Sequence, residues 1–137
     1  MSEGRAFVDT NVFVYLFSED ERLKQQRSIQ ILNAYDCWIS TQVVNEFCSI
    51  CTRKWKMPTH DIQRAVDKIC LCGTLYTVDL PTVRHALELC ERYHYSYYDS
   101  LILASALACD CEYLLTEDLN DGQIIENSLT IRNIYKF

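Results

Sequence analysis

Strand-like and helix-like segments alternate along this chain, and this alternation most constrains its fold. Short apolar runs predict strands at AFVDT (6–10), CWIS (37–40), TLYTV (74–78) and EYLLT (112–116). Longer segments with apolar residues at helical spacing lie between these runs, and SLTIRNI (128–134) predicts a fifth strand. Such alternation predicts an α/β fold, with a parallel sheet of about five strands and helices on both faces.

Several of the predicted helices carry start and stop signals. Thr41 is placed to cap the helix TQVVNEFCSICTRKW, and Gly73 is placed to end the helix that begins near Thr59. A chain of 137 residues with 49% hydrophobic content can bury a core of its own, and three glycines and two prolines leave no room for a linker. We therefore expect a single domain over residues 1–137.

Four acidic residues lie either at or just after the end of a predicted strand or in the early turns of a predicted helix. Asp9 ends the first strand and Asp118 follows the fourth, while Glu46 and Asp99 lie in the early turns of two helices. Ligand sites in open parallel sheets form beyond the carboxyl ends of strands, where the strand order reverses. If the second and third strands lie on one side of the first and the fourth on the other, all four acids converge.

Converging carboxylates indicate a divalent cation, because charges beside an apolar core are costly without a counter-charge. Hard oxygen ligands suit Mg²⁺ or Mn²⁺, which also bind phosphate oxygens. A metal-bound water can attack a phosphodiester, and the chain has no Ser/His/Asp triad or glycine-rich phosphate loop to suggest another chemistry. The acids thus predict metal-assisted hydrolysis of a nucleic-acid strand.

Three of the four acids also have a local alternative. Asp9 can cap the helix that follows it, Asp99 suits a helix N-terminus, and Asp118 suits a turn. These alternatives explain single positions. They do not explain Glu46, which lies in an otherwise apolar helical turn.

The order and spacing of the motifs resemble the PIN-domain nucleases, and within them the VapC-type toxins of toxin-antitoxin pairs. The resemblance spans nearly the whole chain and rests on four motifs: Asp9-Thr10-Asn11-Val12, Glu46 after a short strand, Tyr98-Asp99-Ser100-Leu101, and Leu115-Thr116-Glu117-Asp118-Leu119.

This resemblance implies a three-layer fold with strand order 3-2-1-4-5 and an acidic pocket that binds Mg²⁺ or Mn²⁺. The implied metal-binding and catalytic residues are Asp9, Glu46, Asp99 and Asp118. Thr10, Asn11 and Thr116 would support them or hold water. Asp121 either binds a second ion or stays solvated in its loop.

The implied activity is endonucleolytic hydrolysis of single-stranded RNA, and the implied partners are an antitoxin and a second copy of the chain. The alternative is a catalytically silent PIN-like module that binds RNA or protein. A phosphoaspartyl receiver and a haloacid-dehalogenase phosphatase are disfavoured, because Thr10 and Asn11 follow Asp9 where those families need further acids.

The charge balance needs a local explanation. The net charge of −6 argues against broad electrostatic binding to nucleic acid. The basic cluster Arg53, Lys54 and Lys56 can contact a phosphate backbone, or it can be a solvated helix end. Four tyrosines near Asp99 can stack on unpaired bases or belong to the core: Tyr93, Tyr95, Tyr97 and Tyr98.

The eight cysteines are scattered through apolar segments, and we expect them to be reduced. Cys48 and Cys51 have CxxC spacing, but they lie within a helical pattern that lacks a zinc-binding turn. The N-terminal segment lacks the features of a secretory signal, and no run of 18 apolar residues occurs. We therefore expect a cytoplasmic protein without a membrane partner.

Overall fold

The computed structural model describes residues 2–136, which form a six-stranded sheet and six helices. The strands are β1 (Arg5–Val8), β2 (Asp36–Ser40), β3 (Thr74–Tyr76), β4 (Tyr113–Thr116), β5 (Ile124–Ile125) and β6 (Leu129–Asn133). The helices are α1 (Thr10–Leu16), α2 (Arg22–Ala34), α3 (Thr41–Arg53), α4 (Thr59–Cys72), α5 (Leu80–Tyr93) and α6 (Tyr97–Ala108).

The sheet has the order β3-β2-β1-β4-β6-β5, and all neighbouring strands except β5 and β6 run parallel. The predicted α/β class and the strand order through the first four strands are confirmed. The segment predicted as the fifth strand is β6, which pairs with β4. The additional strand β5 was not predicted, because two residues in a polar loop carry no periodic pattern.

The direction of the crossovers separates the helices into two layers. The chain moves from β1 to β2 to β3 on one side, then returns to β4 on the other side of β1. Because crossovers between parallel strands are almost always right-handed, α1–α4 cover one face and α5–α6 cover the other. The packing agrees, since α1 packs against α2 and α3, whereas α5 packs mainly against α6.

The core is centred on β1, β4 and α6. Phe7 and Val8 of β1 and Leu114 and Leu115 of β4 are fully buried. Residues 100–106 of α6 are also buried. Four of them are small and allow the helix to approach the sheet closely: Ser100, Ala104, Ser105 and Ala106. Charged groups at the ends of these elements therefore lie at the edge of a dry core.

Two helix ends differ from the prediction in their details. Ser40, not Thr41, caps α3 and accepts a hydrogen bond from the Val43 amide. Gly73 ends α4 as predicted, but in an extended conformation. Its lack of a side chain matters because a Cβ there would lie 2.7 Å from the Cys37 carbonyl oxygen.

Within the part of the chain that the structure describes, no helix is both long and apolar enough to cross a membrane.

Candidate active site

The sheet reverses its strand order at β1, and the candidate site forms at the carboxyl end of this strand. Val8 is in register with Leu115 of β4, and the Asp9 amide donates to the Leu115 carbonyl at 3.1 Å. Asp9, which follows β1, therefore lies beside Thr116, the last residue of β4. The helices that follow bring the remaining acids to the same edge.

One pocket of about 340 Å³ collects all four predicted acids from separate elements. Asp9 follows β1, Glu46 lies on α3, Asp99 lies in the first turn of α6, and Asp118 follows β4. The other lining residues are Thr10, Asn11, Val14, Tyr15, Ile50, Lys54 and Ile102. The site is therefore a pocket lined by four carboxylates together with polar, basic and apolar side chains.

Asp9 is the most buried of these acids, with 8% of its surface exposed. Its Oδ1 accepts from the Thr10 amide at 2.7 Å, and its Oδ2 accepts from the Thr116 hydroxyl at 2.7 Å. Burial nevertheless raises the pKa of Asp9 from 3.8 to about 6, and the charges of Glu46 and Asp118 add to the rise. A nearby cation would relieve this cost.

Glu46 and Asp118 are also held in place by donors. Thr10 donates its hydroxyl to Glu46 Oε1 at 2.8 Å, and Asn11 donates its amide to Asp118 Oδ2 at 3.0 Å. Burial raises the pKa of Glu46, with a further contribution from the charge of Asp99. The side chain of each of the three predicted supporting residues thus donates to one acid. Their role in binding metal stays a prediction.

The donor set fits Mg²⁺ or Mn²⁺, because it consists of carboxylate and amide oxygens. The Asn11 Oδ1 is buried without a hydrogen-bond partner among the described residues, which leaves one more oxygen for an ion or its water. Across residues 2–136, no three His, Cys, Asp or Glu side chains lie close enough to hold one ion together. Mg²⁺ commonly keeps several waters and contacts only one or two carboxylates.

Asp121 does not line this pocket. Its Oδ1 accepts from the Asn133 amide at 2.8 Å, and its Oδ2 forms an ion pair with Lys136 at 3.3 Å. The Asn133 bond and Lys136 lower the pKa of Asp121. The Asp121 carboxylate therefore contacts Asn133 and Lys136 and lies outside the pocket that the other four acids line.

The predicted basic cluster divides between two places. Lys54 lines the acidic pocket, while Arg53 lines a neighbouring cavity and Lys56 lines neither. The sequence reasoning did not single out Tyr15, which also lines the acidic pocket. Its hydroxyl donates to Glu117 Oε1, which Lys24 holds through an ion pair of 2.7 Å from Nζ to Oε2. These long-range contacts leave no local sequence signal.

All eight cysteines have free thiols in the structure. Burial raises the pKa of Cys37 and Cys111 to about 12 and that of Cys109 to about 11. Such thiols are poor nucleophiles, because the reactive thiolate is scarce at neutral pH. None of the eight cysteines lines the acidic pocket, so they add no chemistry to it.

Comparison with known proteins supports the fold described above. A family model described as the PIN domain matches residues 6–121. A toxin-antitoxin complex from Klebsiella pneumoniae superposes with a TM-score of 0.73 at 22% identity, over 96% of this chain and 99% of that chain. VapBC2 from Rickettsia felis, bound to a promoter DNA fragment, has a TM-score of 0.67 at 18% identity, over 94% and 99% of the two chains.

VapC20 of Mycobacterium tuberculosis, described as a toxin that cleaves the sarcin-ricin loop, has a TM-score of 0.64 at 18% identity. That match covers 80% of this chain and 86% of the VapC20 chain. A search of curated proteins finds no match. Since the PIN model covers most of the chain and VapC structures share its fold, the chain belongs to the PIN domain family.

Proposed function

We propose that the protein is an Mg²⁺- or Mn²⁺-dependent endoribonuclease that hydrolyses phosphodiester bonds in single-stranded RNA. The observation that carries this proposal is the convergence of Asp9, Glu46, Asp99 and Asp118, from four elements, in one pocket at the carboxyl end of the sheet. Membership of the PIN family supports a nuclease.

A bound ion would supply Lewis-acid stabilisation of the phosphoryl oxygens and a water of lowered pKa. Asp9, Glu46, Asp99 and Asp118 would hold it. Thr116 and the Thr10 amide orient Asp9 through separate oxygens, so the carboxylate is fixed before any ligand arrives.

Other side chains of the pocket would act on the substrate. Lys54 adds a positive charge at the rim, where it can bind a phosphate on either side of the scissile bond. Val14, Ile50 and Ile102 supply an apolar wall that limits water and strengthens the electrostatic contacts. Arg53 and Lys56 extend the proposed phosphate contacts beyond the pocket.

The biological setting that we propose is a toxin-antitoxin pair in the cytoplasm. The support is that similar structures are described as toxin-antitoxin complexes, including one from Klebsiella pneumoniae. The acidic pocket would suit a basic segment of a cognate antitoxin, and we propose a homodimer as the assembled form. Normal growth of cells that make this chain without an antitoxin would count against toxicity.

A catalytically silent binding module remains the second candidate, because the acids of residues 2–136 do not form a three-ligand cluster. Incubation of the purified protein with single-stranded RNA distinguishes the two. If the protein is a nuclease, we expect RNA cleavage in Mg²⁺ or Mn²⁺. We expect no cleavage in EDTA and no cleavage by folded Asp9→Asn protein. Binding of RNA without cleavage under all metal conditions would favour the silent module.

A further inference from the structure

A second and larger cavity, of about 720 Å³, lies beside the acidic pocket. Glu46 lines both, so the two are adjacent across one side chain of α3. The volume falls within the range of about 300–1,000 Å³ that is typical of small-molecule sites. The lining residues are Thr41, Gln42, Asn45, Glu46, Ser49, Arg53, Val78, Tyr98 and Leu101.

A polar stripe of α3 forms one wall of this cavity. Its members follow a spacing of three, four and seven residues, which places them on one face of a helix. The stripe consists of Gln42, Asn45, Glu46, Ser49 and Arg53. The opposite face supplies Val43, Phe47 and Cys51 to the core, so core packing does not account for the polar stripe.

Gln42 is the most informative member of the stripe, because it is polar yet only 7% exposed. Its Nε2 donates to the Tyr98 carbonyl at 3.0 Å, which links α3 to the first turn of α6. Its Oε1 is buried with no hydrogen-bond partner anywhere in residues 2–136. A buried acceptor without a donor is unfavourable, so a ligand that brings a donor would satisfy it.

Tyr98 supplies an aromatic surface to the same cavity, with 63% of the residue exposed. Its ring meets that of Tyr97 edge-on, at a centroid distance of 5.3 Å. Tyr93 and Tyr95, by contrast, use their hydroxyls in contacts with the loop at residues 120–126. Tyr98 is therefore the tyrosine of this group that is most available for stacking, and it directly precedes Asp99.

We propose that this cavity is a nucleobase subsite beside the scissile phosphate, and that it favours a base with an exocyclic amino group. The base would stack on Tyr98 and donate to Gln42 Oε1, while Asn45 and Ser49 offer further polar contacts to its edge. This subsite rests on the proposed ribonuclease function and gives it a selectivity that the four acids do not supply.

The mixture of groups favours a base over a protein side chain. The amides and hydroxyls of the stripe can each pair with base edges, and an exposed aromatic ring stacks on any base. Arg53 lies at the far end of the stripe, where it can contact a phosphate of the same strand. A peptide segment is the competing occupant and becomes one outcome of the test.

The affinities of two pyrimidine oligonucleotides test the base preference of the subsite directly. Cytosine and uracil are similar in size, but at ring position 4 cytosine carries an amino group that donates, whereas uracil carries a carbonyl oxygen that would meet Gln42 Oε1 as a second acceptor. Fluorescence anisotropy of six-nucleotide oligo(rC) and oligo(rU) is measured with Asp99→Asn protein, which blocks cleavage and leaves the subsite residues intact. We expect oligo(rC) to bind about 2- to 12-fold more tightly, the effect of one hydrogen bond.

Variants then assign the preference to particular groups. Gln42→Met in the same background should remove the preference for oligo(rC). Tyr98→Ala should weaken both oligonucleotides roughly 5- to 150-fold, whereas Tyr98→Phe should retain affinity because the ring remains. Gln63→Met, an exposed change on α4 that lines neither pocket, is the matched control.

Equal affinity for the two oligonucleotides, with no change in either affinity in Tyr98→Ala, would overturn the nucleobase subsite. A peptide segment would then be the occupant to test. Tyr98 is exposed, so its variant tests the proposal even if Gln42→Met fails to fold. Cleavage by the unaltered protein is measured in parallel. Selective binding without any cleavage would refute the proposed function while the subsite stands.

Discussion

Replacement of Asp9 by asparagine should stabilise the metal-free protein at neutral pH. Asp9 is buried, and its pKa is raised from 3.8 to about 6, so its ionised form disfavours the folded state. The difference between these pKa values corresponds to about 3 kcal/mol at pH 7.5. Asparagine has nearly the same shape without the charge, so Asp9→Asn should raise the melting temperature by about 10 °C for a chain of this length.

The gain should depend on pH in a defined direction. Above pH 6 both folded and unfolded Asp9 are ionised, and the full penalty applies. As the pH falls from about 6 to 3.8, the folded carboxyl takes up its proton first, and the wild-type protein regains stability. The advantage of Asp9→Asn should therefore shrink to about 0.5 kcal/mol near pH 4.

Thermal unfolding in EDTA, at several pH values between 4 and 7.5, measures this difference. Asp121→Asn is the matched control, because the pKa of that carboxyl is lowered and neutralisation should bring no gain. A lower melting temperature for Asp9→Asn at pH 7.5, or a gain that does not change with pH, would refute the reasoning. Mg²⁺ should raise the melting temperature of the wild type more than that of Asp9→Asn.

Three further predictions concern the groups around the pocket. Thr116→Val removes the hydroxyl that donates to Asp9, and should destabilise the protein by about 1.5–3 kcal/mol at pH 7.5 but less near pH 4, as followed by urea unfolding. Lys24→Met leaves the half-buried Glu117 without its ion-pair partner, and should cost about 1 kcal/mol; an unchanged urea midpoint would contradict this. Lys54→Gln should reduce the slope of log affinity for RNA against log salt concentration by about 0.7, measured by anisotropy, with little change in melting temperature.

Features that depend on local pattern could be predicted from the sequence. The apolar runs around Phe7 and Leu114 identify the central strands because each is short, apolar and bounded by polar residues. The position of Asp9 at the end of such a run follows directly. The sequence could therefore nominate the acids, although it could not measure their burial or their donors.

Features that depend on backbone conformation or on distant contacts could not be predicted. Ser40 and Thr41 are adjacent hydroxyl residues with equal capping potential, and only the backbone conformation selects Ser40. The sequence nominates Asp121 as a further acid of the pocket, because its ion pair with Lys136 forms only in the folded chain. Tyr95 donates its hydroxyl to Gln123, whereas the ring of Tyr98 stays exposed. The fold sets this difference, not the local sequence.

The central claim is that the converged acids cleave RNA with the help of a divalent ion. The most direct test compares the single-turnover cleavage rate of single-stranded RNA by wild-type, Asp99→Asn and Asp121→Asn proteins in Mg²⁺. We predict that Asp99→Asn abolishes cleavage while Asp121→Asn retains it, because Asp99 lines the acidic pocket and Asp121 does not. Undiminished cleavage by folded Asp99→Asn protein would contradict the account.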